Sequence, residues 1–397
     1  MNSNRSRREF LGAMGMAAGA YIAQPKMLRA LQSDGARVAI GRCPEYNRQV
    51  EQTLSRMFDQ LGGLKRMVAG KTVTMKLNLT GGPDNRLNGM PPGMTHWVNP
   101  VVIAAVVHLM GNAGAHRIRL VESAPGGTIS LQKFMASAGW NPQEFVSAAP
   151  KSKVEFENTN FLGSYKTYST FMVPGGGLMF KGFDLNRAYR ETDVFVSLAK
   201  LKEHRTAGIT LSMKNCFGMT PCTIYSQQAP LDEPSIVPVG YRLDLHLGSR
   251  VPPKSAPQPS VNPATWSHDP GYRVPHIVTD LVHARPIDLA IIDGVHTIEG
   301  GELPQQSSNF THKPMHPGVL IAGLNCVSTD AVGTAVMGFD PMADTGTPPF
   351  ETASSMLKLG EQVGLGTRNL NRIEILGEPL AKVRTPFTPL SKMIKAT

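Results

Sequence analysis

The chain has 397 residues and is 41% hydrophobic, enough for an ordinary core and for one large domain or two smaller ones. Its formal charge is +10, but residues 1–30 hold Arg5, Arg7, Arg8, Lys26 and Arg29 against Glu9, so the rest carries +6, which suits an anionic ligand or surface. Basic and aromatic residues do not interleave as a single-strand stacking platform requires, which argues against nucleic acid as a partner.

The first element is a processing signal. Asn4-Arg5-Ser6-Arg7-Arg8-Glu9-Phe10-Leu11 pairs arginines with Phe-Leu, and a short apolar stretch to Ala23 follows, broken by Gly12, Gly15 and Gly19. It is shorter than the roughly 20 apolar residues of a membrane span. Charged start, apolar middle and the A-x-A-like Ala18-Gly19-Ala20 read together as a twin-arginine signal peptide over residues 1–30. The expected partner is the twin-arginine export machinery, and the expected location is periplasmic or extracellular. No other segment is long and apolar enough to span a bilayer, so no span is expected in the mature protein.

Beyond it, short apolar runs alternate with helical patterns. Arg37 to Ile40 reads as a strand, Asn47 to Leu61 as a helix stopped by Gly62-Gly63, and Thr72 to Leu77 as a second strand. Pro100 to Met110 is a helix with proline in its first turn, and Arg117 to Val121 a third strand. Val194 to Leu198, Leu289 to Ile292 and Val319 to Ala322 are further strands. A helix over Ser328 to Met337, with Ser328 as its cap, and a last strand over Ile373 to Leu376 complete the series. This spacing predicts an α/β fold: a mostly parallel sheet with helices on both faces. Residues 151–185, rich in Thr, Ser, Tyr and Gly, read as a β-rich antiparallel insertion. Residues 221–275, with Pro252, Pro253, Pro257, Pro259 and Pro263, read as a long surface excursion, a lid or an arm. The main domain is expected over 37–341, with 342–397 packing on it as an extension.

In open α/β sheets ligands bind beyond the carboxyl ends of the strands. Four predicted strands end there in polar residues: Lys76-Leu77-Asn78; Glu122 with Ser123, Gly126 and Gly127; Lys200, Lys202 and His204; and Asp293, with Glu299 beyond it. Any one piece could be a turn or a salt bridge, but jointly they form a crest. If the chain from Lys200 to His204 is extended, its two lysines and histidine share a face. Lys76, Lys200 and Lys214, with Ser123, Gly126 and Gly127, are the candidate anion binders, the glycines letting backbone N–H groups approach the ligand. His204, Lys202 and Glu122 are the candidate catalytic groups. Asp293, Glu299 and Asn78 are hard oxygen donors and would suit magnesium, manganese or calcium if they converge. The cysteines, Cys43, Cys216, Cys222 and Cys326, form no C-x-x-C pair, so the sequence gives no support for a four-cysteine iron–sulfur cluster. Cys216 and Cys222 are near enough to bridge, with four unpaired thiols as the alternative.

The order Lys76-Leu77-Asn78-Leu79, Glu122-Ser123-Ala124-Pro125-Gly126-Gly127, Leu198 to His204, Met213-Lys214-Asn215-Cys216-Phe217-Gly218, Ile292-Asp293-Gly294 and Met337 to Pro341 resembles domain-of-unknown-function family 362. The resemblance covers most of residues 37–341 and implies a common binding or catalytic core at these positions. Some relatives carry a ferredoxin-like module, whose cysteines this sequence lacks. The expectation is an exported enzyme acting on a small phosphate- or carboxylate-bearing substrate, with or without a divalent metal. A non-catalytic exported ligand-binding protein, or an accessory in cofactor or iron–sulfur assembly, is the alternative.

Overall fold

A computed structural model describes residues 36–302 and 312–393; the expected signal peptide lies outside them. Its centre is an eight-stranded sheet in the order β14-β1-β13-β10-β7-β2-β3-β4. The strands are β1 (Ala36–Arg42), β2 (Thr72–Lys76), β3 (Arg117–Glu122), β4 (Lys153–Asn158), β7 (Val194–Lys200), β10 (Leu289–Gly294), β13 (Val319–Gly323) and β14 (Ile373–Gly377). Seven run parallel; β13 pairs antiparallel with both β1 and β10. The α/β expectation therefore holds.

Each central strand buries both faces, and side-chain alternation sorts its residues into two cores. Ala39, Met75, Leu120, Val196 and Ile291 face one core, filled by helices α1 (Gln49–Gln60), α2 (Pro100–Asn112), α3 (Leu131–Ser137) and α4 (Pro142–Ala148). Ile40, Val121, Phe195, Ile292 and Ile321 face the other, filled by α5 (Ser212–Asn215), α6 (Pro270–Ala284), α7 (Cys326–Val336) and α8 (Met356–Gln362).

Local chemistry sets the helix ends. Asn99 caps α2 by accepting from Val101 N, ahead of Pro100, whose missing N–H costs nothing in a first turn. Pro275 inside α6 has no N–H to offer Gly271 O; Ser354 N donates to that carbonyl instead, at 2.9 Å. The cap of α7 is Asn325, which accepts from Ser328 N, rather than Ser328 itself: the helix begins two residues earlier than its apolar pattern suggested.

The region 151–185 splits. Its first part is β4, a parallel edge strand of the main sheet, whose Glu155 meets Arg117 and Arg119. Only β5 (Ser169–Met172) and β6 (Gly182–Leu185) form the expected antiparallel hairpin. The C-terminal region contributes β14, paired in parallel with β1, so it completes the sheet. Two further small pairs flank the sheet: β8 (Lys202–His204) with β9 (Gly208–Thr210), and β11 (Thr297–Glu299) with β12 (Lys313–Met315).

The strand order reverses between β2 and β7. From β2 the chain steps outward to β3 and β4; from β7 it steps the other way to β10. The connecting helices lie on opposite faces, α2 on one and α6 on the other. Such a switch point opens a crevice at the carboxyl ends of the two strands, where ligands bind.

Candidate functional site

The carboxyl ends of β10, β7, β2 and β3 are neighbours, and each carries a buried charge. At β2, Lys76 is 1% exposed and donates to Glu122 Oε1 at the end of β3, at 2.6 Å. It also donates to Leu77 O at 2.7 Å and Asn215 Oδ1 at 3.4 Å. Glu122 accepts in addition from Leu79 N and Ser123 N, so its oxygens are well occupied. At β7, Lys200 is fully buried and meets Asp293 Oδ2 of β10 at 3.0 Å; the two are direct register partners. Asp293 also accepts from Tyr46 OH, Asn99 N and Val295 N. Burial pushes both Lys76 and Lys200 below the usual lysine range, against the pull of Glu122 and Asp293 respectively.

One residue past β7 the chain continues extended into β8. Lys202 and His204 share a face and both reach Glu302: Lys202 Nζ on Oε2, and His204 Nε2 on Oε1 at 3.2 Å. Thr206 N donates to His204 Nδ1 at 3.1 Å, so the proton of the neutral ring sits on Nε2 and points at Glu302. Burial, then the charge of Lys214, pushes His204 down to about 4. Burial opposes the Glu302 charge as well, yet Lys202, His204 and Lys214 hold its carboxyl well below the usual range.

Lys214 rides on the single turn α5. Asp330 of α7 fixes that turn by accepting from Ser212 N, Ser212 Oγ and Met213 N at 2.8, 2.6 and 2.9 Å. The next residue, Asn215, clamps the turn to the sheet by donating to Lys76 O and Ser197 Oγ. Lys214 is 8% exposed and lies over the Phe217 ring, 4.6 Å from its centre. Burial pushes it down to about 8; Glu302 pulls upward, while Lys202, Arg242 and Lys76 push further down. Among the described residues no carboxylate stands within 4 Å of Lys214 or of Arg242, whereas Lys76, Lys200 and Lys202 each have one. Arg242 comes from the Pro-rich excursion and donates to Thr220 O and Asn160 Oδ1. The excursion is thus an arm that returns a cation to the crest.

Two buried polar atoms near this cluster lack a hydrogen-bond partner, Asn78 Oδ1 and His96 Nε2. His96 Nδ1 is engaged by Thr95 Oγ1 at 3.0 Å. Burial, followed by Lys202, drives His96 down to about 3. Gly218 leans on the Lys76–Glu122 pair so closely that an added Cβ would lie 2.9 Å from Lys76 Nζ. Two surface hollows lie elsewhere: one of about 550 Å³ by Arg119 and Glu155, another of about 450 Å³ by Arg42 and Gln49. Neither is lined by crest residues, and their chemistry is that of edge grooves.

Three sets of residues singled out in the sequence have partners of their own in the structure. Asp293, Glu299 and Asn78 have separate partners: Glu299 accepts from Thr388 N, Asn78 donates to Thr80, and the Asp293 oxygens are filled by Lys200, Tyr46 and backbone N–H groups. Among the described residues no group of three or more His, Cys, Asp or Glu is placed to hold a metal ion. Second, the amides of Ser123 and Ala124 are already taken, by Glu122 and Asn158, and Gly126 and Gly127 turn at φ 98° and 74° toward the surface. Through Ala124 N and Asn158 the loop is tied to β4. Third, Glu122 is a structural counter-ion of Lys76, not a free carboxylate. The four cysteines are all buried and unpaired. Glu302 and Arg242 were not foreseen. Glu302 lies three residues beyond Glu299 and was legible as a nearby carboxylate; Arg242 lies where no periodicity points inward.

The family model for the domain of unknown function DUF362 matches residues 73–335, which span the crest from β2 to α7. The chain belongs to the DUF362 family. A thylakoid-associated protein of Synechocystis sp. is 29% identical to this DUF362 chain over 170 residues, 43% of this chain and 46% of that relative, so the match spans about half the relative's length. Among solved structures, a Thermotoga maritima protein aligns with a TM-score of 0.37 at 11% identity, over 81% of this chain and 60% of that one. The lactate racemase apoprotein of Thermoanaerobacterium thermosaccharolyticum aligns at 0.31 and 12%, over 68% and 51%. Likenesses this distant carry nothing about activity. No helix among the described residues is long and apolar enough to cross a membrane.

Proposed function

We propose that this DUF362 protein is an exported enzyme whose crest binds the phosphate or carboxylate group of a small substrate, with Lys214 as the anchoring cation. One observation carries the reading. Lys214 is nearly buried beside Lys202, Arg242 and Lys76, and among the described residues no carboxylate ion-pairs with it, although every other crest lysine has one. Buried charge without a partner is costly, so such a position favours a ligand of opposite sign. Arg242 adds a second cation to the same side of the crest.

The proton chemistry shifts from His204 to Lys214. His204, held near 4 with both ring nitrogens engaged, is neutral and positions Glu302. Lys214, near 8, exchanges its proton close to neutral pH, where a group serves best as acid or base. Lys202 and His204 stand beside it, both held on Glu302.

The test is a thermal-shift panel of phosphates and small carboxylates on the mature protein, beside Lys214→Gln. Stabilisation by at least one anion, lost in the variant, is expected. Because the ammonium is the binding form, affinity falls as pH rises through about 8. Equal responses of both proteins, or an affinity flat from neutral pH to about pH 9.5, would overturn the reading. Export rests on Arg7 and Arg8. Replacing both with lysine is expected to retain the full-length protein in the cytoplasm of a producing bacterium; unchanged export would refute the twin-arginine assignment.

A further inference from the structure

Glu302 differs from the other crest carboxylates. Glu122 and Asp293 end strands and each accept two or more backbone N–H groups, so the sheet itself holds them. Glu302 follows Gly300 and Gly301, which turn at φ 90° and 76°, and among the described residues its carboxylate is held by side chains: Lys202 on one oxygen and His204 on the other. Its side chain is 15% exposed, against 0% for Lys202 and 8% for His204, so solvent reaches the cluster past Glu302. Lys214 feels its charge more strongly than that of any other ionised group.

We infer that Glu302 occupies, with its own carboxylate, the subsite that receives the carboxylate of a small substrate, and that this substrate binds by displacing it. The inference rests on the anion-binding reading above and narrows its ligand class. The two donors address the two oxygens of one planar group, one cationic and one neutral. A carboxylate can replace the Glu302 head group one for one, in shape and in charge; a phosphate offers a tetrahedral dianion to the same pair. An internal competitor present at high effective concentration lowers the apparent affinity of any external ligand by the fraction of time the site is open. Weakening the competitor therefore tightens binding of the true ligand class.

The experiment titrates acetate and, separately, inorganic phosphate into the full mature chain, its Glu302→Gln and Glu302→Ala variants, and Lys214→Gln, by calorimetry. Glu302→Gln keeps a hydrogen-bonding head group without its charge and covers the case in which Glu302→Ala does not fold. Acetate affinity is expected to rise at least tenfold in Glu302→Gln, and in Glu302→Ala if it folds, with phosphate gaining less. Unchanged or weaker acetate binding in Glu302→Gln overturns the inference, as does a gain confined to phosphate. Lys214→Gln separates the two claims. Anion binding that depends on Lys214 but does not tighten without Glu302 leaves the broader reading standing and sinks this one. Tightening without Glu302 that ignores Lys214 keeps the displaced-carboxylate subsite and removes Lys214 as its anchoring cation.

Discussion

Glu122→Ala is expected to destabilise the protein by about 3–5 kcal/mol, because it leaves the Lys76 ammonium buried without its counter-ion. The pair is 1% and 6% exposed in its side chains, at 2.6 Å. The same change removes the acceptor of Leu79 N and Ser123 N, two backbone donors in a dry interior. Lys76 cannot move away, since Gly218 packs against its ammonium and Asn215 against its other side. A loss of that size is a large part of the roughly 5–15 kcal/mol of a whole domain. Urea unfolding of wild type, Glu122→Ala and a Lys76→Met/Glu122→Leu double variant measures it. The double variant, which removes both charges, should recover much of the loss. If Glu122→Ala unfolds at the wild-type midpoint, the pair does not hold the β2 and β3 ends.

Asp330→Ala is expected to cost a similar amount, and to weaken anion binding beyond what its stability loss explains. Asp330 is fully buried and accepts three hydrogen bonds from the turn that carries Lys214. Each donor left unsatisfied in the interior costs about 1–3 kcal/mol. Burial pushes this carboxyl up to about 7, against the three hydrogen bonds that favour its charge. The native state therefore holds a proton there that the unfolded chain releases near pH 4. Its contribution to stability is largest below that value and declines as pH rises toward 7, levelling off above. Asp330→Asn, which cannot titrate, lacks this slope, so the stability gap between it and wild type should narrow from about pH 4 to about pH 7 and stay level above. A constant gap would mean that Asp330 ionises as it does in the unfolded chain.

Much of the frame was legible because its signals are local. Short runs such as Ala290-Ile291-Ile292 can be buried on both faces only in a covered sheet, and the strand ends then fall in place by counting. The direction of β13 was not legible. An apolar run such as Val319 to Ala322 reads alike in either direction, and what reverses it is the path through β11 and β12, whose described residues include no crossover helix. The site divided the same way. Lys76, Lys200, Lys202, Lys214, Glu122 and Asp293 all lie at the crest, since each sits within a residue or two of a strand or turn end. Their pairing was not legible. Asp293 suited a metal until Tyr46, 247 positions away, took its oxygens together with Lys200. Glu302 and Arg242 enter through turns whose conformations no periodicity encodes.

The central claim is that Lys214 awaits an anion inside the crest. A crystal structure of the mature protein grown with acetate or phosphate tests it most directly. The account predicts anion density in contact with Lys214 Nζ, enclosed among Lys202, Arg242 and His204. Anions found only on exposed lysines and arginines, with the Lys214 ammonium turned onto a carboxylate of its own chain, would contradict it.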